Sequence, residues 1–194
     1  MDVYLIRHAE AIEREQFAEH PDEERPLTDV GHAQAQSLAL ALPARGAKIL
    51  RLFVSPLVRT RQTAEPLVAA WGLTGDQVVE TAVLAPEGKC RKVAKAINKQ
   101  PAEAIGLVGH RPDLNELAAW LIGDKKAQIA LDKGGVALVR VDGDKLAKGA
   151  GELIWLLPQA FVEVSQAAPK APATTARRTR KRRLKKATAK TRNA

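Results

Sequence analysis

The sequence predicts an α/β protein: a three-layer, open, mostly parallel β-sheet with helices packed on both faces. Three observations carry that expectation. Short β-rich apolar runs alternate with segments whose apolar residues recur at helical spacing. Chemically distinctive residues cluster where strands give way to loops or helices, which is where open α/β sheets place their ligands. The 194 residues, 45% of them apolar, suffice for one well-cored domain.

Taken in order, Val3–Arg7 is a β-rich apolar run and the first expected strand. Over residues 28–42, Ala35, Leu38, Ala39 and Leu42 fall at i, i+3, i+4 and i+7, and Thr28 is placed to cap the helix they define. Ile49–Val54 reads as a second strand and residues 57–71 as a second helix, with Pro66 a candidate kink. Val78–Leu84 is expected as a strand and Arg91–Asn98 as a helix. Ile105–Val108 is a short buried strand running into Gly109-His110. Pro112 then sits where a first helical turn tolerates it, and Leu114, Leu117, Leu121 and Ile122 give the next helix one apolar face. Val136–Val141 and Glu152–Leu157 flank a Gly-rich turn and read as an antiparallel edge hairpin. No internal repeat appears, and nothing divides residues 1–158, so residues 1–160 are expected to form one domain.

The net charge of +9 is unevenly distributed. Eleven of the 31 basic residues lie between Lys170 and Arg192, leaving 20 basic against 22 acidic residues, about −2, in the rest of the chain. Residues 165–194 consist largely of Ala, Thr, Pro, Lys and Arg, with Leu184 the only large apolar side chain. Such a segment buries too little surface to offset its ordering entropy, so a disordered basic tail is expected. Its run from Arg177 to Arg183 suits nucleic acid, polyphosphate or an acidic protein, bound in a salt-dependent manner. No aromatic residue is interleaved, so base stacking is not expected there. No apolar run approaches the ~20 residues a membrane span requires, and the N-terminus reads as a strand rather than a signal peptide. The single cysteine, Cys90, excludes an internal disulfide and is read as a spectator beside Lys89, Arg91 and Lys92. A cytoplasmic protein with no membrane partner is the expectation.

Four segments carry the chemistry: Arg7-His8-Ala9-Glu10, Arg25-Pro26-Leu27-Thr28 followed by Gly31, the run from Ser55-Pro56-Leu57 through Arg59 and Thr60 to Gln62-Thr63-Ala64, and Gly109-His110. Phosphoryl transfer needs fixed donors on three charged oxygens. Arginine supplies a planar fork that matches two of those oxygens and stays charged. A neutral imidazole is a competent nucleophile toward phosphorus, and a second, protonated histidine would add a donor. No Gly-rich loop ends in Gly-Lys-Ser/Thr, which speaks against nucleotide-driven chemistry of that kind. No two of the four histidines lie at i, i+4 beside a carboxylate, so neither metal nor cofactor is expected, and His20 and His32 are read as surface residues.

The four segments, in this order, resemble the histidine phosphatase superfamily, which also contains the cofactor-dependent phosphoglycerate mutases. The family's Arg-His-Gly signature stands here as Arg7-His8-Ala9, a small-for-small change beside intact chemical residues. The resemblance implies a phosphoglycerate mutase-like fold over residues 1–158, with His8 as nucleophile and Arg7, Arg59 and His110 as the positive pocket around the phosphoryl oxygens. It further implies that Arg25 lines the pocket mouth or contacts the phosphate, while Arg61 faces solvent. The small size and lack of long insertions resemble the SixA-type phosphohistidine phosphatases. Mutases and many phosphomonoesterases of the superfamily protonate their leaving group with a carboxylic acid after the third strand. Glu87, in a Pro/Gly loop, is the candidate at that place, although a Glu in such a loop is more often simply solvated. An imidazole leaving group needs less acid help, which favours phosphohistidine as substrate. The expected activity is therefore hydrolysis through a covalent phosphohistidine on His8, acting on the phosphorylated histidine of a protein such as a phosphorelay or carrier domain. Two alternatives stand beside it: a phosphatase of small phosphorylated molecules, and a polyanion-binding module whose phosphatase-like domain is inactive.

Overall fold

The structure, a computed structural model, describes residues 1–124 and 126–164. The segment expected to be a disordered basic tail, 165–194, lies outside the described residues.

The chain runs β1 (Asp2–Arg7), α1 (Asp29–Ala44), β2 (Arg51–Val54), α2 (Val58–Trp71), β3 (Val78–Glu80), α3 (Cys90–Ile97), β4 (Ala104–Gly109), α4 (Asp113–Leu121), β5 (Val136–Val141), β6 (Gly151–Leu157) and α5 (Gln159–Val164). The six strands form one sheet in the order β3-β2-β4-β1-β5-β6. β3, β2, β4 and β1 are mutually parallel, whereas β5 pairs antiparallel with β1 and with β6. The expected mostly parallel sheet with an antiparallel hairpin at one edge is thus what forms.

Alternation along β1 divides the core. Val3 and Leu5 point to one face, where they join Phe53, Leu107, Leu114 and Leu117 under α3 and α4. Tyr4 and Ile6 point to the other, against Leu38 and Leu42 of α1, Leu67 of α2 and Val162 of α5. Both faces of the central strands are covered, which is why β4 is buried along its whole length. Thr28 caps α1 as its position predicts, its side chain accepting from the Gly31 amide at 3.0 Å.

Two elements depart from the sequence reading. Val78–Leu84 is a strand only to Glu80, because β2 offers no partner beyond the Val54–Glu80 pair. The Thr81 amide closes that end on the Val54 carbonyl at 2.8 Å, and Ala82–Leu84 turns as a 3₁₀-helix that buries Leu84. The helix α5 was not foreseen, since six residues are too few to show a helical period. Among the described residues, no helix is long and apolar enough to cross a membrane.

Candidate active site

Register brings the two key histidines together. In the parallel β1–β4 pair Arg7 sits opposite Gly109, so the residues that follow, His8 and His110, leave adjacent strand ends side by side. The His8 amide donates to the Gly109 carbonyl at 3.0 Å, and the two rings lie 5.3 Å apart between centroids. Both are buried, His8 at 7% and His110 at 3% exposure.

The turn after β1 fixes the His8 ring. The ring Nδ1 lies 2.7 Å from the carbonyl oxygen of Ala9. A carbonyl only accepts, so Nδ1 carries the proton and donates, which leaves the lone pair on Nε2. The Ala9 amide in turn donates to Thr63 Oγ1 at 3.0 Å, and that hydroxyl donates to the Arg59 carbonyl at 2.7 Å. Thr63 thereby ties the His8 turn to the first turns of α2. Ala9, where the family has glycine, is fully buried without disturbing this turn.

Burial is the largest influence on both rings. It lowers the His8 pKa to about 3, with Arg59, Arg7 and Arg25 adding to the fall and the Ala9 hydrogen bond opposing it. Burial and then Arg59 likewise bring His110 down to about 3. The expectation of a protonated second histidine is therefore corrected: His110 is neutral at neutral pH and offers a single N–H. Its Nε2 lies 2.8 Å from Ser55 Oγ, while Nδ1 is buried without a hydrogen-bond partner among the described residues. In the tautomer with the Ser55 hydroxyl donating to Nε2, the Nδ1–H is the free donor.

The arginines surround the pair. Arg59, in the first turn of α2 and 3% exposed, donates through Nη1 to the Asp22 carbonyl at 2.8 Å and through Nη2 to Asp22 Oδ2 at 2.9 Å. Arg25 donates through Nε to Asp22 Oδ1 at 2.9 Å and through Nη1 to the Ile12 carbonyl at 2.7 Å. Burial pushes the Asp22 carboxyl up, but Arg25 and Arg59 overcome this and hold it below the ordinary carboxylate range. Arg7 is anchored at Nη1 by the Leu131 carbonyl at 2.9 Å. The Nε–H groups of Arg7 and Arg59 are buried with no partner among the described residues.

All five residues singled out from the sequence, Arg7, His8, Arg25, Arg59 and His110, line one cavity of about 260 Å³. Arg14, Arg111 and Lys133 line it too, and so do Glu13 and Glu15. These five, and Asp22 behind the arginines, were not identified from the sequence. For Arg111 the signal was its place directly after His110; the others come from loops and 3₁₀ turns too short for any periodicity to reveal. Lys133 Nζ donates to Glu13 Oε1 at 2.8 Å and holds that carboxyl below its ordinary value. Glu87 is exposed and does not line the cavity, although its neighbour Pro86 does. Arg61 faces Glu80 at 3.7 Å with half its side chain in solvent, and His20 and His32 are exposed, as expected. Six cations around two neutral imidazoles make a site for a compact, highly charged anion.

Comparison with known proteins agrees with this geometry. Residues 3–85 match the model of the histidine phosphatase superfamily (branch 1). An uncharacterized protein of Picosynechococcus sp. is 34% identical over 169 residues, which cover 81% of this chain and 100% of that one. The structure of the protein histidine phosphatase SixA complexed with tungstate superposes with a TM-score of 0.71 at 23% identity, covering 82% of this chain and 98% of that one. A mycobacterial glucosyl-3-phosphoglycerate phosphatase shares the fold at TM-score 0.62 and 15% identity, covering 81% and 99% of the two chains. Likeness at these identities establishes the fold, which proteins named for different substrates share. With its four segments assembled around one cationic cavity and a full-length relative above 30% identity, the chain belongs to the histidine phosphatase superfamily, a membership that supports phosphatase activity.

Proposed function

We propose that the chain hydrolyses the phosphohistidine of a protein, through a covalent intermediate on His8 Nε2, in the manner of the SixA-type phosphatases. The observation that carries the proposal is the His8–Ala9 contact, which places the lone pair on Nε2 of a ring kept neutral by burial. In the first step Nε2 attacks phosphorus and the bond from phosphorus to the substrate imidazole breaks. Its electron pair goes to the departing ring nitrogen, which takes up a proton from solvent. In the second step water attacks phosphorus, the P–Nε2 bond breaks, and inorganic phosphate leaves with His8 regenerated. Positive charge that builds on the His8 ring during attack strengthens the Nδ1–H bond to Ala9. Arg7, Arg59 and His110 bind the phosphoryl oxygens, and Arg25 lines the mouth.

The leaving group is inferred from the carboxylates. Glu13 is kept ionised by Lys133, Glu15 lines the cavity but is exposed to solvent, and Glu87 lies outside the lining, so none is a buried acid held ready to protonate an alkoxide. Imidazole departs with far less help. The test is phosphate release from a phosphohistidine peptide, from p-nitrophenyl phosphate and from sugar phosphates at matched concentrations. The phosphohistidine peptide is expected to have the highest kcat/KM; dominant turnover of the esters would refute the substrate assignment and favour the small-molecule alternative.

A further inference from the structure

Three cavities are linked into a track by the lining residues they share. Arg111 lines both the histidine cavity and a neighbouring one of about 560 Å³ beside α4. Trp120, near the far end of α4, lines that second cavity and a third of about 640 Å³. From Asp113 to Trp120 the helix carries the track roughly 10 Å away from the histidines.

The third cavity is a basic groove. Arg91, Lys95 and Lys99 come from α3 and the residues just after it, Lys145 and Lys148 come from the β5–β6 turn, and no acidic residue shares the lining. A two-point clasp holds these segments together: Asn98 Nδ2 donates to the Leu146 carbonyl at 3.0 Å, and the Leu146 amide donates to Asn98 Oδ1 at 2.8 Å. Leu146 itself is anchored in the core at 3% exposure. The five cations are exposed, and none forms an ion pair among the described residues. They are a quarter of the 20 basic residues that precede the tail, in a region whose net charge is about −2. Like charges concentrated within about a Debye length are costly unless an anion meets them.

We infer that this groove docks an acidic segment of the phosphorylated protein while its phosphohistidine occupies the histidine cavity. The inference rests on the proposed protein substrate. Between groove and cavity the track passes Glu116, which would repel a uniformly anionic polymer such as nucleic acid. Ala119, Ala127, Ile129 and Ala130 beside it supply an apolar stretch suited to the mixed side chains of a polypeptide.

Binding measured on the whole chain would be confounded by the eleven basic residues from Lys170 to Arg192, so the test is site-resolved. The chain has three tryptophans, and Trp120 alone borders the groove. Trp71 donates its indole N–H to the Ala47 carbonyl, and Trp155 packs on Tyr4. An unphosphorylated Asp/Glu-rich peptide added to the full chain is expected to shift the Trp120 indole resonance and leave those of Trp71 and Trp155 in place. The K95E/K99E and K145E/K148E variants should each abolish that shift. In both, kcat/KM for a phosphohistidine peptide with the acidic flank should fall roughly ten-fold through KM, with phosphoramidate turnover unchanged. An unmoved Trp120 resonance, an equal loss on phosphoramidate, or an oligonucleotide of the same charge shifting Trp120 at lower concentration would overturn the inference. If Trp120 shifts as expected but the phosphohistidine peptide is not hydrolysed, the docking surface stands and the substrate assignment falls.

Discussion

Acidification should unfold this protein through the two site histidines. Each titrates near 6.5 in an unfolded chain and at about 3 in the folded one, chiefly because of burial. Below pH 6.5 the unfolded chain therefore binds protons that the folded chain refuses. The stability these residues allow is fully present above 6.5 and declines as the pH drops toward 3. At pH 5, about 1.5 units below the unfolded value, each histidine costs about 2 kcal/mol at 1.4 kcal/mol per unit. Urea unfolding at pH 7.5 and pH 5 measures the loss. The variants His8→Gln and His110→Gln should each lose about 2 kcal/mol less than wild type over that interval. Equal losses in wild type and both variants, or NMR spectra showing either ring protonated at pH 5, would refute the claim that the site keeps neutral imidazoles.

Other perturbations probe how the site is held. Asp22 occupies both Arg25 and Arg59, so Asp22→Ala should tighten competitive inhibition by inorganic phosphate by about five-fold, the equivalent of about 1 kcal/mol; weaker inhibition would mark Asp22 as an organiser of the arginines. Thr63→Val removes the acceptor of the buried Ala9 amide; stability should fall by about 1–3 kcal/mol in denaturant unfolding, with kcat falling alongside as the His8 turn loosens. Gly31→Ala should cost about 2 kcal/mol or more in the same assay, because a Cβ there would collide with the backbone carbonyl of Glu10.

What the sequence made legible is local in character. The strand ends that carry His8 and His110 follow from short apolar runs, and the Thr28 cap follows from its place before a helical period. Arg7, Arg25, Arg59 and His110 were identified through linear motifs, and the fold brings them to one cavity. What stayed hidden depends on the paths of loops. Asp22 reaches Arg59 across 37 positions and Leu131 reaches Arg7 across 124, contacts that no period or motif encodes. Ser55 and Thr63 were visible inside a motif, but their bonds to His110 and Ala9 appear only when α2 is docked against the strand ends. The protonation state of His110 was misread for the same reason. Its ordinary pKa is a property of the residue type, whereas the value of about 3 comes from tertiary burial beside Arg59.

The central claim is covalent catalysis at Nε2 of His8, and rapid quenching with a ³²P-labelled phosphohistidine peptide tests it most directly. Wild type is expected to yield an acid-labile, base-stable label that maps to the peptide containing His8. His8→Ala should fold, carry no label and release no phosphate. Label on another residue, or full turnover by His8→Ala, would contradict the account.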